Sequence, residues 1–138
     1  MYICSMKKFF FLSVAIAFAA CNQSNEKIKE RMVNADSVAI NYFKGDGTMD
    51  TVVKVKIIRD KKVINQLANL IAAKKGEANY KCGYDGTVHF FKMNSVIQDM
   101  DFNMNDAKCM YFSFMQEGKP TTTLLLPEAK QLLQLLRR

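Results

Sequence analysis

Apolar positions along this chain alternate with polar ones in several short segments and recur at helical spacing in others. The alternating segments are 38–43, 51–59, 87–93, 96–104, 108–116 and 121–126. Alternation places apolar side chains on one face of a strand and polar side chains on the other. The connections between these segments, such as 44–47 and Glu117-Gly118, are short and rich in turn residues. The pattern therefore predicts strands that pair antiparallel with their neighbours.

Two further segments show the helical period. The first, 61–75, follows Asp60, a good capping residue, and the second, 127–138, begins with Pro127, which suits a first helical turn. Their apolar stripes are Val63, Leu67, Leu70 and Ile71 in the first, and Ala129, Leu132, Leu133 and Leu136 in the second. The order β-β-α-β-β-β-β-α predicts an α+β fold, a single twisted antiparallel sheet with two helices packed on one face. From the strand before the first helix onward, the order β-α-β-β-β-β-α is similar to that of the TATA-binding-protein-like fold, an analogy of architecture that implies no function.

The sheet face that points away from the predicted helices is not uniformly polar. Its expected members are Phe91, Met93, Ile97, Tyr111 and Met115, beside Lys54, Lys56, His89 and Asp99. Contiguous exposed apolar surface on a small domain usually marks a partner or ligand site. We therefore expect this face to dock a partner molecule. The alternatives are that the segment 26–34 folds over it or that a second copy of the chain covers it.

The loop 80–86 concentrates two tyrosines, two glycines, a cysteine and an aspartate. Tyrosines offer rigid contact area for recognition, whereas the same glycines also suit a plain connection from helix to strand. The candidate partner-binding residues are Tyr80, Tyr84 and Asp85 from this loop, with Phe91 and Tyr111 from the open sheet face.

The N-terminal region combines a basic start, a short apolar run and a cysteine. Lys7-Lys8 precedes the apolar run 9–20, which ends in Ala19-Ala20 just before Cys21. This arrangement is that of a secretory signal peptide and resembles the lipobox of bacterial lipoproteins. The resemblance implies cleavage before Cys21, lipidation of that cysteine, and an anchor in the cell envelope, expected at the outer membrane facing the periplasm. An ordinary signal peptide would instead leave Cys21 as a free thiol.

These features predict three regions. Residues 1–20 form the signal peptide, with translation expected to start at Met6. Residues 21–36 comprise the lipidated cysteine and a polar tether, and residues 37–138 form the globular domain.

The four cysteines divide by this scheme. Cys4 precedes the expected start and Cys21 carries the lipid, which leaves Cys82 and Cys109 in a compartment that permits disulfides. We expect these two to be bridged, the alternative being two reduced, buried thiols. A thiol hydrolase built from Cys82, Asp85 and His89 is the less favoured hypothesis, because a bridge would consume the nucleophile.

Charge and metal-binding residue types narrow the functional classes. The formal net charge is +7, but the lysines are scattered rather than arranged in a stripe, and an exported chain is not expected to bind nucleic acid. Neither zinc nor a cofactor is predicted, and the methionines of the strand region suit a core better than a copper site. The sequence thus favours a membrane-anchored, non-catalytic binding or accessory module. Its expected partner on the outward sheet face is an envelope protein, peptidoglycan or a small ligand. The alternative is an inhibitor or ligand sensor that uses the loop 80–86.

Overall fold

The computed structural model describes residues 23–44, 51–77 and 82–138, and within them one sheet is covered by helices on one side. The elements in chain order are α1 (Gln23–Val33), β1 (Ser37–Phe43), β2 (Val52–Ile58), α2 (Lys61–Ile71), β3 (Gly86–Lys92), β4 (Ser95–Asn103), β5 (Tyr111–Gln116), β6 (Lys119–Leu124) and α3 (Pro127–Arg137). All neighbouring strands are antiparallel, in the order β2-β1-β3-β4-β5-β6. The predicted α+β fold with one antiparallel sheet is confirmed, with one helix more than the pattern indicated.

Tight turns set the hairpins of this sheet. Met93 and Asn94 join β3 to β4 with φ of 52° and 67°, and Glu117 and Gly118 join β5 to β6 with φ of 52° and 77°. Two-residue turns with two positive φ values match the right-handed twist of the flanking strands. The Glu117-Gly118 turn is where the sequence predicted it. The β3–β4 turn begins at Met93, which is therefore a turn residue, 80% exposed, rather than part of a sheet face.

The hydrophobic core lies between one face of the sheet and the three described helices. The strand residues in it include Val38, Ile40, Val88, Phe90, Met100, Phe102 and Phe112, and the helix residues include Ile28, Met32, Ile64, Leu67, Ile71, Ala129 and Leu133. Asp60 caps α2 as predicted, since its Oδ1 accepts a hydrogen bond from the Lys62 N–H at 3.0 Å. The opposite face of the sheet, called here the open face, carries no described helix.

Helix α1 corrects the predicted tether. Residues 21–36 were expected to be a polar leash, but from Gln23 on they form a helix whose Ile28 and Met32 are buried in the core. The Asn25 side chain donates to the Ala72 carbonyl at 3.2 Å, and the Lys61 ammonium donates to the carbonyls of Val33 and Ala35 at the end of the helix. The helix thus packs on the core side, and the alternative in which 26–34 covers the open face is wrong.

The residues of strand β2 point to the opposite faces of the sheet from those predicted. Lys56 lies opposite Ile40 and Lys54 opposite Tyr42, so both lysines point to the helix side of the sheet. Val55 and Ile57 instead point to the open face, where they are 53% and 46% exposed. The reason is that Ile58 is the β2 residue buried in the core, opposite Val38, and alternation from Ile58 fixes the rest of the strand.

The start of β4 and the start of β5 also differ from the prediction. The register shifts by one residue where Phe91 pairs with Val96, and this β-bulge leaves Val96, expected on the core face, 49% exposed. Strand β5 begins at Tyr111 rather than at 108, because the residues before it form a turn in which the Cys109 N–H donates to the Asp106 carbonyl at 2.9 Å.

Cys82 and Cys109 lie at disulfide-bonding distance, with their Cα atoms 6.2 Å apart and a separation of 27 positions in sequence. This separation is within the usual range for a bridge. The pair joins the segment that leads into β3 to the turn that leads into β5, so the predicted pairing of these cysteines is confirmed at the level of geometry.

We predict that Cys82→Ser lowers the free energy of unfolding by about 3–4 kcal/mol, because a loop of this length loses that much closure entropy when cross-linked. Urea denaturation of the variant and of the oxidised chain measures the difference. Reduction of the unsubstituted chain should produce a similar loss. A count of two free thiols at positions 82 and 109 in the denatured, unreduced chain would contradict the bridge.

Candidate ligand-binding face

The open face collects the polar side chains of the central strands. Cross-strand pairing places residues of β1, β3, β4, β5 and β6 on it in alternation with the core residues. Its members near the centre are Asn41, Thr87, His89, Phe91, Asp99, Asp101, Tyr111, Ser113 and Met115. Most of them are half-buried by their neighbours, so the face is a shallow surface of packed side chains rather than a fully solvated one.

A chain of hydrogen bonds runs across three strands of this face. His89 Nδ1 lies 2.5 Å from Asp99 Oδ1, and His89 Nε2 lies 3.1 Å from Thr87 Oγ1. The Asn41 amide donates to the same Thr87 oxygen at 3.1 Å. A neutral imidazole satisfies the whole chain if Nδ1–H donates to Asp99 and Nε2 accepts from the Thr87 hydroxyl. The geometry arises because His89 pairs directly with Asp99, while Thr87 precedes it by two on the same strand.

Asp101 lies next to this chain, opposite Thr87 on β3 and Ser113 on β5. Burial raises the pKa of its carboxyl above the usual value, His89 lowers it, and the nearby Asp99 raises it further. The carboxylate is thus partly desolvated, and the shift in its pKa shows that its negative charge is not fully compensated by its surroundings.

A pocket of about 550 Å³ opens beside Asp101 over the β4–β6 end of the open face. Its lining consists of Glu77, Tyr84, Asp101, Ser113, Phe114, Met115, Pro120, Thr121 and Thr122. Among the residues that the structure describes, the lining therefore contains two carboxylates and no lysine or arginine, although the whole chain carries a net charge of +7. The contrast makes this pocket suited to a ligand that bears a positive charge.

The order Asp99–His89–Thr87 is that of an acid, a base and a hydroxyl nucleophile. Attack by the Thr87 oxygen would develop negative charge on the substrate directly opposite Asp101, whose carboxylate would oppose that charge. The same carboxylate would stabilise a bound cation. The electrostatics of the face therefore favour cation binding over acyl transfer.

The candidate residues named from sequence divide into three groups. Tyr84 lines the pocket, and Phe91 and Tyr111 lie on the open face, so these three are brought to one side of the sheet. Asp85 has an internal role, because its Oδ2 accepts from the N–H groups of Met104 and Asn105 at 2.7 and 3.0 Å. Tyr80 and Cys21 lie outside the described residues.

The three residues of the thiol-hydrolase hypothesis have separate partners. Cys82 lies at bonding distance from Cys109, Asp85 accepts backbone N–H groups, and His89 contacts Asp99 and Thr87. Thr87 and Asp101, which sequence reasoning did not single out, are central to the face. Their polar character in alternating strands was visible, but the pairing that brings them together was not.

In the described part of the chain, no helix is both long and apolar enough to cross a membrane. In the same residues, no three His, Cys, Asp or Glu side chains are grouped so that they could hold a metal ion. In comparisons with known proteins, no family model, curated protein or solved structure matches this chain.

We predict that Asp101→Asn raises the melting temperature at neutral pH. Because its pKa is raised on folding, the Asp101 carboxylate opposes folding fully above the folded pKa and not at all below the unfolded pKa. The advantage of the variant should therefore shrink as the pH falls through the interval between these two pKa values. Thermal melts across the acid range measure it, with Glu30→Gln on the exposed side of α1 as the charge-matched control. A rise in melting temperature of Asp101→Asn that is independent of pH would contradict this account.

Proposed function

We propose that this protein is a lipid-anchored lipoprotein of the cell envelope that acts as a non-catalytic binding module, with the open face of its sheet as the binding surface. The observation that carries the proposal is the acidic pocket beside Asp101, on a face that no described helix covers. A half-buried face with a pocket and a desolvated carboxylate is a common form of binding site.

The proposed lipid anchor rests on the sequence from Lys7 to Cys21, with its basic start, apolar run and small residues before the cysteine. Helix α1 determines how far from the membrane such an anchor would hold the domain. It begins at Gln23, two positions after the cysteine that would carry the lipid. Two residues span at most about 7 Å, so the domain would be held directly at the membrane surface rather than on a long leash.

The ligand class follows from the lining of the pocket. Asp101 and Glu77 supply negative charge, Tyr84 supplies an aromatic ring, and Met115 supplies adaptable apolar surface. A primary amine or guanidinium attached to an apolar chain would meet a carboxylate and an aromatic ring at once. An amine-bearing small molecule or a lysine-containing or arginine-containing peptide fits this description.

The loop 80–86 supports a second hypothesis, in which the protein is a ligand sensor or an inhibitor. Tyr84 lines the pocket, while the neighbouring Asp85 ties the loop to the end of β4 through Met104 and Asn105. Occupation of the pocket by a ligand would therefore affect the conformation of this loop. A sensor would bind the same class of ligand, so both readings share one test.

We predict that lysine amide binds the purified full-length chain in the pocket and that acetate does not. Nuclear magnetic resonance titration should show shifts at Tyr84, His89 and Asp101. Asp101→Asn should weaken binding about tenfold, the value of one charge-assisted hydrogen bond, and Glu30→Gln should leave it unchanged.

Equal responses to lysine amide and acetate, or equal effects of the two variants, would refute the proposal that the open face is a binding surface. The proposed lipid anchor is tested separately, by the mass of the N-terminal peptide. A mature chain that starts at an acylated Cys21 supports the lipoprotein assignment, and an unmodified Cys21 refutes it without bearing on the pocket.

A further inference from the structure

The two edges of the sheet are not equivalent. At the β6 edge, the Gly76 N–H donates to the Thr122 carbonyl at 3.1 Å, and the Leu124 N–H donates to the Lys74 carbonyl at 2.9 Å. Lys75 forms an isolated bridge with Thr123 between these bonds. The segment after α2 therefore caps β6. At the other edge, no described strand pairs with the outer side of β2.

The uncapped strand has the composition of a central strand. Its sequence is Val-Val-Lys-Val-Lys-Ile-Ile, seven residues rich in β-branched side chains. Val55 and Ile57 point to the open face and are about half exposed, while Lys54 and Lys56 point to the helix side. An unpaired edge strand is a template for pairing with another strand, and charged residues such as these two lysines oppose a partner that leaves their charges uncompensated.

We propose that β2 is a docking edge that accepts an extended segment of a partner protein as a seventh, antiparallel strand, and that this segment alternates acidic and apolar residues. Directly opposed residues of antiparallel strands share a face of the sheet. Acidic residues of the partner would therefore lie opposite Lys54 and Lys56, and apolar residues opposite Val55 and Ile57. Backbone hydrogen bonds supply affinity in this mode of recognition, and the alternating side chains supply specificity.

The same lysines disfavour a second copy of this chain as the occupant. A two-fold axis perpendicular to the sheet keeps both open faces on one side, so opposed residues must have numbers of the same parity. An axis at Val55 sets Lys54 opposite Lys56 of the other copy, and an axis at either lysine sets that lysine opposite itself. Every register that pairs most of β2 thus opposes like charges, which destabilises the pair.

The docking edge is also distinct from the acidic pocket. The pocket lies at the β4–β6 end of the open face, whereas β2 is separated from β6 by five strand spacings, about 24 Å. A partner strand at β2 would therefore leave the pocket free, and the two sites can be tested separately.

The test uses two fluorescent peptides and the full-length chain in detergent micelles. One peptide alternates glutamate with valine, and the other alternates lysine with valine. Both are measured with lysine amide in excess, so that the lysine peptide cannot bind in the acidic pocket beside Asp101. We expect the glutamate peptide to bind about tenfold more tightly by fluorescence anisotropy, because two opposite-charge pairs replace two like-charge pairs. Hydrogen exchange should slow in residues 52–58 when that peptide is bound.

Charge reversal distinguishes docking from a general attraction to a basic protein. The double variant Lys54→Glu/Lys56→Glu should prefer the lysine peptide, whereas Lys74→Glu/Lys75→Glu, at the capped edge, should keep the original preference. Circular dichroism verifies that both variants fold. Equal affinity for the two peptides, an unchanged preference in the Lys54/Lys56 variant, protection outside β2, or a dimer that forms through β2 would each overturn the proposal.

Discussion

The close packing of β1, β3 and β4 at Gly86 is the constraint on which the rest of the structure depends. A Cβ atom added at this position would overlap the Asn41 carbonyl oxygen and the ring of Phe102. Gly86 lies opposite both Tyr42 and Phe102, whose rings meet edge to face with centroids 5.9 Å apart. A glycine inside a sheet often marks such a close approach, and here it lets two aromatic rings pack across the strand between them.

Tyr42 connects the packing at Gly86 to helix α3. Its hydroxyl donates to the Leu133 carbonyl of α3 at 2.6 Å, and the Arg137 guanidinium carbon lies 5.5 Å from its ring centroid. Burial raises the pKa of Tyr42 to about 12, with Arg137 lowering it in part, so the phenol stays protonated and can donate. The sheet register and the position of α3 are thus fixed by one group of contacts. That register points Thr87 and His89 to the open face, and a slip of one residue would turn both into the core.

The sequence pattern was most informative for the central strands and least informative at the edges. In β3 one face is buried by helices, so alternation alone placed His89 and Phe91 correctly on the open face. Edge strand β2 is apolar at most positions, and its orientation depends on which residue reaches the core. That residue is Ile58, and the packing that selects it is not local in sequence. Helix α1 is missing from the predicted element order because only a narrow stripe, including Ile28 and Met32, is apolar.

The candidate site was predictable only in part for the same reason. Phe91 and Tyr111 follow from alternation within their own strands, whereas the contact of His89 with Asp99 depends on the pairing of β3 with β4. Asp85 looked like a recognition residue because turn-forming aspartates and binding aspartates have the same sequence context. Its two backbone partners, Met104 and Asn105, are about twenty positions away and are supplied by the fold.

Oxidative footprinting of the chain inside the cells that produce it tests most directly whether the open face is a binding surface. Met115 lies on that face and is 56% exposed, and Met93 lies in the β3–β4 turn and is 80% exposed, so the two offer the same chemistry at different places. Hydroxyl radicals should oxidise both in the purified chain. In intact cells we expect Met115 to be protected and Met93 to react as before. Equal oxidation of Met115 in the two preparations would contradict the account.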